Sequence, residues 1–390
     1  MFKLPIKCQK NFRGTVAFID TQALAFNIHS LRQSLHPESF FCPMIKANAY
    51  GHGDIEVARV LQAQDVKQLG VCSIEEAIYL RENGIKTDIL FFSGFSDKNI
   101  LEVLQYNLIP VVSHWGQLQA LVKVPKPISF HLKFDTGMAR LGFSFADIEK
   151  VHDFIKIKNI SGLRGVCSHL YQSDEPFHSE CITAGQLKIF SKITQLFCVK
   201  EDIKPHILNT AGIEQKVESQ ADVFLHKQQV WGARPGLGTY GYGSLSKKLK
   251  LKPVMSLRSS ILDLREVEAG TCVSYNGRWT APKKSLLGIV QAGYGDGYNR
   301  ILTNKGEVLF CGQVVPVVST VCMDYLFIDI TALDGKVSRE QMRESAVTLW
   351  GYDEHSNLMS VADVAQKAQT IPWELLTQVS QRVPRIYNES

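Results

Sequence analysis

Eight residues able to do chemistry stand at or just past the end of a short apolar run: Lys46, Lys133, Asp135, Arg140, His169, Asn209, Thr210 and Arg234. Amines, imidazoles and guanidinium groups are the side chains that move protons and hold anions. Singly, each is weak evidence, because a lysine after a strand is ordinarily a solvated loop residue and a strand-end histidine is ordinarily structural. A chain built for packing alone would not put so many polar groups at one kind of position. The turn ARPGLG (233–238) adds glycines that let backbone N–H groups approach an anion, although alone it reads as a tight surface loop. His52, His169 and His178 share no ligand spacing with cysteines or carboxylates, so no metal site is expected.

Positions of that kind belong to a β/α barrel, where reactive side chains project from the C-terminal ends of the strands. Eight apolar runs are spaced accordingly: FFCPMIKA (40–47), LGVCS (69–73), DILFF (88–92), PVVS (110–113), SFHLKFD (129–135), GVCSHL (165–170), HILNT (206–210) and VWGARPG (230–236). Helix-like stretches lie between them. One opens with Ser73 and Glu76 in a capping-box pattern and ends at Gly84. The repeat alone does not exclude an open doubly wound sheet, but the count favours closure into a (β/α)8 barrel. TVAFID (15–20), followed by a helix at 21–35, would be a ninth strand and is assigned outside the barrel, paired with a second domain.

After about residue 246 the pattern turns to strands with Gly, Asn and Asp turns: VMSLRSSILDLREV, TCVSYN, SLLGIVQAG, EVLFCGQVVPVVS and LFIDI. A helical piece, SVADVAQKAQ (360–369), and the terminal QRVPRIY close it. The expected class is α/β, a (β/α)8 barrel over 21–245 followed by a mainly β C-terminal domain made of 1–20 plus 246–390.

The chain has 390 residues, 45% of them hydrophobic, enough for a sizeable core and for two domains. Its formal charge of +5 is spread along the sequence, which gives no nucleic-acid signal. The start, MFKLPIKCQKNFRG, lacks the apolar core of a secretory signal, and no apolar run nears 18 residues, so a soluble, cytoplasmic protein without membrane association is expected. The nine cysteines have no metal-like spacing. Cys42, Cys72, Cys167, Cys311 and Cys322 read as buried thiols of a reducing compartment.

The local sequences around the reactive positions resemble the alanine racemase family. The resemblance is carried by PMIKANAYGHG (43–53), LKFDTGMARLGF (132–143), CSHL (167–170), LNTAG (208–212), ARPGLGTYG (233–241), VSYNGRWTA (273–281), GYGDGYNR (293–300), VCMDY (321–325) and RVPR (382–385), in order along the whole chain. It implies pyridoxal 5′-phosphate joined to Lys46 as an aldimine, a barrel followed by a β domain, and a head-to-tail homodimer with shared active sites. The implied activity is interconversion of L- and D-alanine, which supplies D-alanine for the bacterial cell wall.

Racemisation needs an electron sink for the α-carbon and an acid and a base on opposite faces of the planar intermediate. The resemblance makes Lys46 and Tyr275 that pair. It puts Arg234 against the pyridine nitrogen and lets His169 link it to the tyrosine. An arginine does not give up its proton, so the ring nitrogen stays unprotonated and side reactions such as transamination are restrained. Tyr50, Thr210 and the backbone of Gly236 and Leu237 hold the phosphate, with Asn209 beside them. Arg140 matches the substrate-carboxylate residue, and Lys133 matches a position that carries a carbamate in many members. An ordinary lysine paired with Asp135 is the alternative there. Met323 and Asp324 match positions that approach the partner's site, and Tyr294 lines the entrance. At Trp373 the family usually has a tyrosine that lines the inner gate and reaches the phosphate.

A broad-specificity or serine-type racemase of the same fold is a second reading. A non-catalytic pyridoxal-phosphate-binding barrel would lack the β domain and Tyr275. Related decarboxylases would need a carboxylate where this chain has Arg234.

Overall fold

The computed structural model describes residues 14–175, 178, 180–199, 202–219, 230–243 and 249–388. They fall into two compact units. One holds Gln22–Ala49 and Gly53–Lys252; the other holds the N-terminal segment up to Thr21, Tyr50–His52 and the chain from Pro253. The sequence boundary at 245–246 lies outside the described residues. Strand β1 is Val16–Ile19.

In the first unit, β2 (Gln68–Val71), β3 (Asp88–Phe91), β4 (Ile109–Val112), β5 (Phe130–Lys133), β6 (Leu163–Cys167), β7 (Lys204–Leu208) and β8 (Gly232–Ala233) form one parallel sheet in sequential order. The run 40–47, expected as a full strand, is reduced to two parallel bridges, Phe41 with Ala233 and Met44 with Gly70. Those bridges still close the barrel. On one side Cys42 N–H donates to Ala233 O (3.0 Å) and Met44 N–H to Pro235 O (2.8 Å); on the other, Gly70 N–H donates to Pro43 O (2.9 Å) and Ile45 N–H to Gly70 O (2.8 Å). Pro43 and Pro235 have no N–H, which interrupts the ladder without opening the ring. The barrel interior is apolar where it must be packed, with Phe40, Cys42, Leu90, Ile109, Val111 and Cys167 in one buried cluster.

The helix after β2 shows how sequence sets these units. Ser73 Oγ accepts from Glu76 N–H, Glu76 reaches back to Ser73 N–H, and the helix Ile74–Glu82 then stops before Gly84 at φ +84°. Glycine takes that left-handed position without a Cβ clash.

The second unit contains β9 (Met255–Val267), β10 (Cys272–Val273), β11 (Trp279–Thr280), β12 (Ser285–Val290), β13 (Glu307–Phe310), β14 (Gln313–Val318), β15 (Leu326–Asp329), β16 (Ala346–Tyr352), β17 (Leu358–Met359) and β18 (Arg385–Tyr387). The sheet order is β17-β16-β13-β14-β15-β12-β9-β1-β18, and an added β16–β9 pairing closes six of these strands into a ring. β1 pairs antiparallel with β9 and parallel with β18, so it lies outside the β/α barrel as its sequence suggested. β16 is one of the strands that periodicity does not reveal, because its five central residues are all buried and show no alternation; the two-residue β11 and β17 are others. TCVSYN does not continue as a strand: it leaves β10 at Ser274 (φ +60°), where the backbone turns.

Three of the thiols expected in the core are not there. Cys42 and Cys167 are buried, but Cys72 is exposed, and Cys311 and Cys322 are half-buried. Each lies just beyond a strand: Cys72 follows β2, Cys311 occupies the left-handed turn between β13 and β14, and Cys322 lies in the loop before β15.

Candidate active site

Within the barrel unit, Lys46, Lys133, Arg140, His169, Asn209, Thr210 and Arg234 all lie at or after the C-terminal ends of the strands, as the sequence placed them. Lys46 is half-buried. The next four residues, Ala47, Asn48, Ala49 and Tyr50, have φ of 52°, 55°, 52° and 52°, a left-handed turn made without glycine. Each such residue costs roughly 1–2 kcal/mol, so the surroundings must hold it. Ala49 N–H donates to Ile45 O (2.9 Å), Gly53 N–H to Asn48 O (3.0 Å), Asp54 N–H to Asn48 Oδ1 (3.0 Å) and Ala47 N–H to Glu76 Oε1 (2.6 Å). Beyond the turn, Gly51 is pressed against helix Pro372–Gln378 so closely that a Cβ would meet Leu376 O at 2.0 Å. Arg385 Nε donates to Gly51 O (3.0 Å) and Tyr387 Oη to His52 O (2.9 Å).

Arg234 is the electrostatic centre. Its guanidinium is buried and donates to Ser168 O (2.6 Å), His206 O (2.9 Å), His206 Nδ1 (2.6 Å) and, more loosely, His169 Nδ1 (3.3 Å). Guanidinium only donates, so both imidazoles accept through Nδ1 and carry their protons on Nε2. His206 then donates to His131 Nδ1 at 2.7 Å. Burial, reinforced by Arg234, holds His131 and His169 down to about 3 and His206 well below its ordinary value. All three are neutral at neutral pH. Burial lowers Arg234 as well, but a guanidinium starts so high that it keeps its charge. His206 and His131 were not singled out in the sequence, where HILNT reads as an ordinary apolar strand.

These histidines set an acid limit on stability. An unfolded histidine takes a proton near 6.5, whereas the folded ones stay neutral down to about 3. Between those values the unfolded chain binds more protons, so stability contributed by these sites is complete above about pH 6.5 and falls as pH drops. Urea midpoints measured from about pH 7.5 down to about pH 5 should decline steadily below 6.5. A midpoint constant over that range would contradict the buried, neutral assignment.

At the same strand ends, the start of helix Thr210–Ser219 meets the turn after β8. Gly236 N–H and Gly238 N–H converge on Thr210 Oγ1 at 3.2 and 3.0 Å. A Cβ on Gly238 would meet Thr210 Cγ2 at 2.8 Å, so the turn approaches this close only because a glycine is there. Convergent backbone donors at a helix start are anion-binding chemistry. Burial pushes the Tyr50 phenol up to about 12, which keeps it a hydrogen-bond donor. Asn209 does a different job: its Oδ1 accepts from Gly212 N–H (2.8 Å) and Ser173 Oγ–H (2.8 Å), and Nδ2 donates to Leu170 O (3.3 Å). It caps the helix and pins the loop after β6.

Arg140 is exposed on the loop 135–143. Asp135 Oδ1 accepts from Gly137 and Met138 N–H, both at 2.8 Å, and Gly142 (φ +132°) packs a Cβ's reach from Asp135 N at 2.6 Å. Asp135 therefore shapes the loop. Burial, then Arg234 and Arg140, pull the Lys133 ammonium below its ordinary range.

In the second unit Tyr275 is 71% exposed, at the tip of the β10–β11 hairpin between Ser274 (φ +60°) and Asn276 (φ +62°). Thr320 Oγ1 donates to Tyr275 O (3.0 Å), and Ser274 Oγ lies 3.3 Å from Cys322 Sγ. Met323 and Asp324 are gathered by Arg382, a residue of the RVPR motif, while Tyr294 N–H donates to Cys322 O (3.0 Å). The Arg382 guanidinium binds the fully buried Asp296 (2.8 Å), Asp324 (2.9 Å) and Met323 O (3.1 Å), while Gly295 N–H also donates to Met323 O. Trp373 is 39% exposed on helix Pro372–Gln378.

A lysine after the barrel's first stave, backbone donors gathered at a helix start and a buried arginine at the same strand ends are the kinds of group that a barrel-type pyridoxal-phosphate enzyme uses. Residues 19–244 match the family model for the alanine racemase N-terminal domain and residues 254–387 the model for its C-terminal domain. The chain is 37% identical over 380 residues to an alanine racemase of Thermodesulfovibrio yellowstonii, covering 95% of this chain and 97% of the relative. It also resembles the crystal structure of the biosynthetic alanine racemase of Pseudomonas aeruginosa (TM-score 0.81, 31% identity, 97% and 100% covered). The alanine racemase of Bartonella henselae, solved with covalently bound pyridoxal phosphate, matches likewise (TM-score 0.82, 28% identity, 96% and 99% covered). The chain belongs to the alanine racemase family.

Proposed function

We propose that Lys46 and Tyr275 are the two proton-handling groups in this chain's reaction, the interconversion of L- and D-alanine with pyridoxal 5′-phosphate as cofactor. The observation that carries the reading is Lys46 at the stave that closes the barrel, with the buried Arg234 at the same strand ends held by neutral histidines and backbone carbonyls and, among the described residues, by no carboxylate.

When bound, the cofactor delocalises the electron pair left on the substrate's α-carbon. Thr210, Tyr50 and the backbone of Gly236 and Leu237 hold its phosphate. Arg234 would donate to the pyridine nitrogen while keeping its own protons, so that nitrogen would stay unprotonated. Lys46 Nζ takes or gives the α-proton on one face, and the Tyr275 hydroxyl does so on the other. His169, neutral and with its proton on Nε2, is free to donate from that atom toward the tyrosine while Arg234 fixes the other nitrogen. Arg140 binds the substrate carboxylate as a two-pronged donor. A lysine held below its ordinary range is the kind that takes up carbon dioxide, which supports a carbamate on Lys133 orienting Arg140.

An exposed tyrosine on a strained hairpin supports a shared site, in which Tyr275, Met323, Asp324 and Tyr294 act on the partner's Lys46 in a homodimer. On this reading 21–245 is the cofactor-binding barrel, and 1–20 with 246–390 supplies the second base. A cytoplasmic location belongs to the same reading; no helix of the described residues is long and apolar enough to cross a membrane.

A chiral assay of the purified holoenzyme with alanine, serine and a longer amino acid tests the substrate. Trp373, where the family usually has tyrosine, adds bulk and aims its one donor differently. Alanine should be preferred by about 10- to 200-fold in kcat/KM, the scale of ~1–3 kcal/mol for a methylene of misfit. In Trp373→Tyr the preference should narrow. An unchanged ratio would show that Trp373 is not the size filter, and faster turnover of serine would favour the broad-specificity reading.

A further inference from the structure

Glu76 does more than cap a helix. A capping box needs one of its oxygens to accept from Ser73 N–H, which it does at 3.0 Å. The same oxygen, Oε2, also accepts from Cys72 N–H at 2.7 Å. The other, Oε1, crosses to the neighbouring strand end and accepts from Ala47 N–H at 2.6 Å, between residues 29 apart in sequence. Ala47 directly follows Lys46 and is the first residue of the left-handed turn. An alanine has no intrinsic preference for that conformation, so the turn depends on outside partners, and this carboxylate is the one that engages its first N–H.

We propose that Glu76 is a positioning residue for Lys46: its carboxylate fixes the start of the left-handed turn and thereby the direction of the lysine side chain. Three N–H donors converge on its two side-chain oxygens, both of which accept. A glutamine has one acceptor oxygen and an NH2, so it keeps the capping box but faces Ala47 N–H with a second donor. The proposal rests on Lys46 being the cofactor lysine.

The test uses holoenzyme of wild type, Glu76→Gln and Ser73→Ala. Hydrogen exchange of the peptide covering Ile45–Tyr50 and the rate of cofactor release on dilution are the readouts. In Glu76→Gln the exchange at Ala47 should be about tenfold faster, since a bond to an ionised acceptor is lost, and cofactor release should quicken by a similar factor. Ser73→Ala weakens the same helix start without touching the Ala47 bond, so it should lower the melting temperature and leave both readouts as in wild type. If the glutamine variant does not fold, Glu76→Asp keeps the charge but falls a methylene short of Ala47, and the same changes are expected. Unchanged exchange at Ala47, or equal cofactor release from Ser73→Ala, overturns the proposal. Borohydride trapping in the same samples separates the two levels: attachment at another lysine removes the reading beneath, whereas exchange at Ala47 tests the brace itself.

Discussion

Tyr275→Phe should lower racemisation by roughly 10²- to 10⁴-fold, the range for removing a positioned acid or base, and should do so asymmetrically. With Lys46 left as the sole proton-handling group, only the enantiomer whose α-hydrogen faces the lysine still exchanges it. In deuterium oxide that enantiomer should gain α-deuterium without changing hand, while its mirror image should neither exchange nor invert. The ring is retained, and the backbone of Tyr275 remains anchored by Thr320 and flanked by its left-handed neighbours, so loss of folding is not expected. If both enantiomers of alanine still exchanged at wild-type rates, the second base would lie elsewhere.

Lys46→Ala should have the larger effect, about 10⁴-fold or more, because on the proposed reading it removes both a proton carrier and the covalent anchor of the cofactor. Alanine at 46 leaves the backbone bonds on either side in place, from Ile45 N–H to Gly70 O and from Ala47 N–H to Glu76. The protein should therefore fold and retain the phosphate cradle. Mixed with Tyr275→Phe under conditions where subunits exchange, it should recover part of the activity, since one site of a hybrid dimer then has both intact groups. Exchange of subunits without recovery would refute the shared site.

How much of this was legible in the sequence depended on the kind of signal. Lys46, Arg234 and Thr210 were legible because residues of distinctive chemistry followed apolar runs at barrel spacing, in motifs resembling a known family. The capping box at Ser73 and Glu76 was equally visible, being a local pattern with a local cause. The bond from Glu76 to Ala47 was not, because nothing in a capping signature says which strand end lies beside it. The left-handed turn was hidden for a different reason: Ala, Asn, Ala and Tyr have no shared preference for positive φ, and tertiary contacts impose it. His206 looked like part of a buried strand, and its role comes from two neighbours, Arg234 and His131, that lie far from it in sequence. Asn209 was found for its place in LNTAG, yet its amide serves the helix start and the loop after β6. Cys72, Cys311 and Cys322 were misplaced because an apolar run continued past the point where the strand ended.

Reducing the wild-type holoenzyme with borohydride and mapping the labelled peptide tests the central claim most directly. The account predicts a single cofactor adduct on the peptide containing Lys46. An adduct on Lys133 or any other lysine, with Lys46 unmodified, would contradict it.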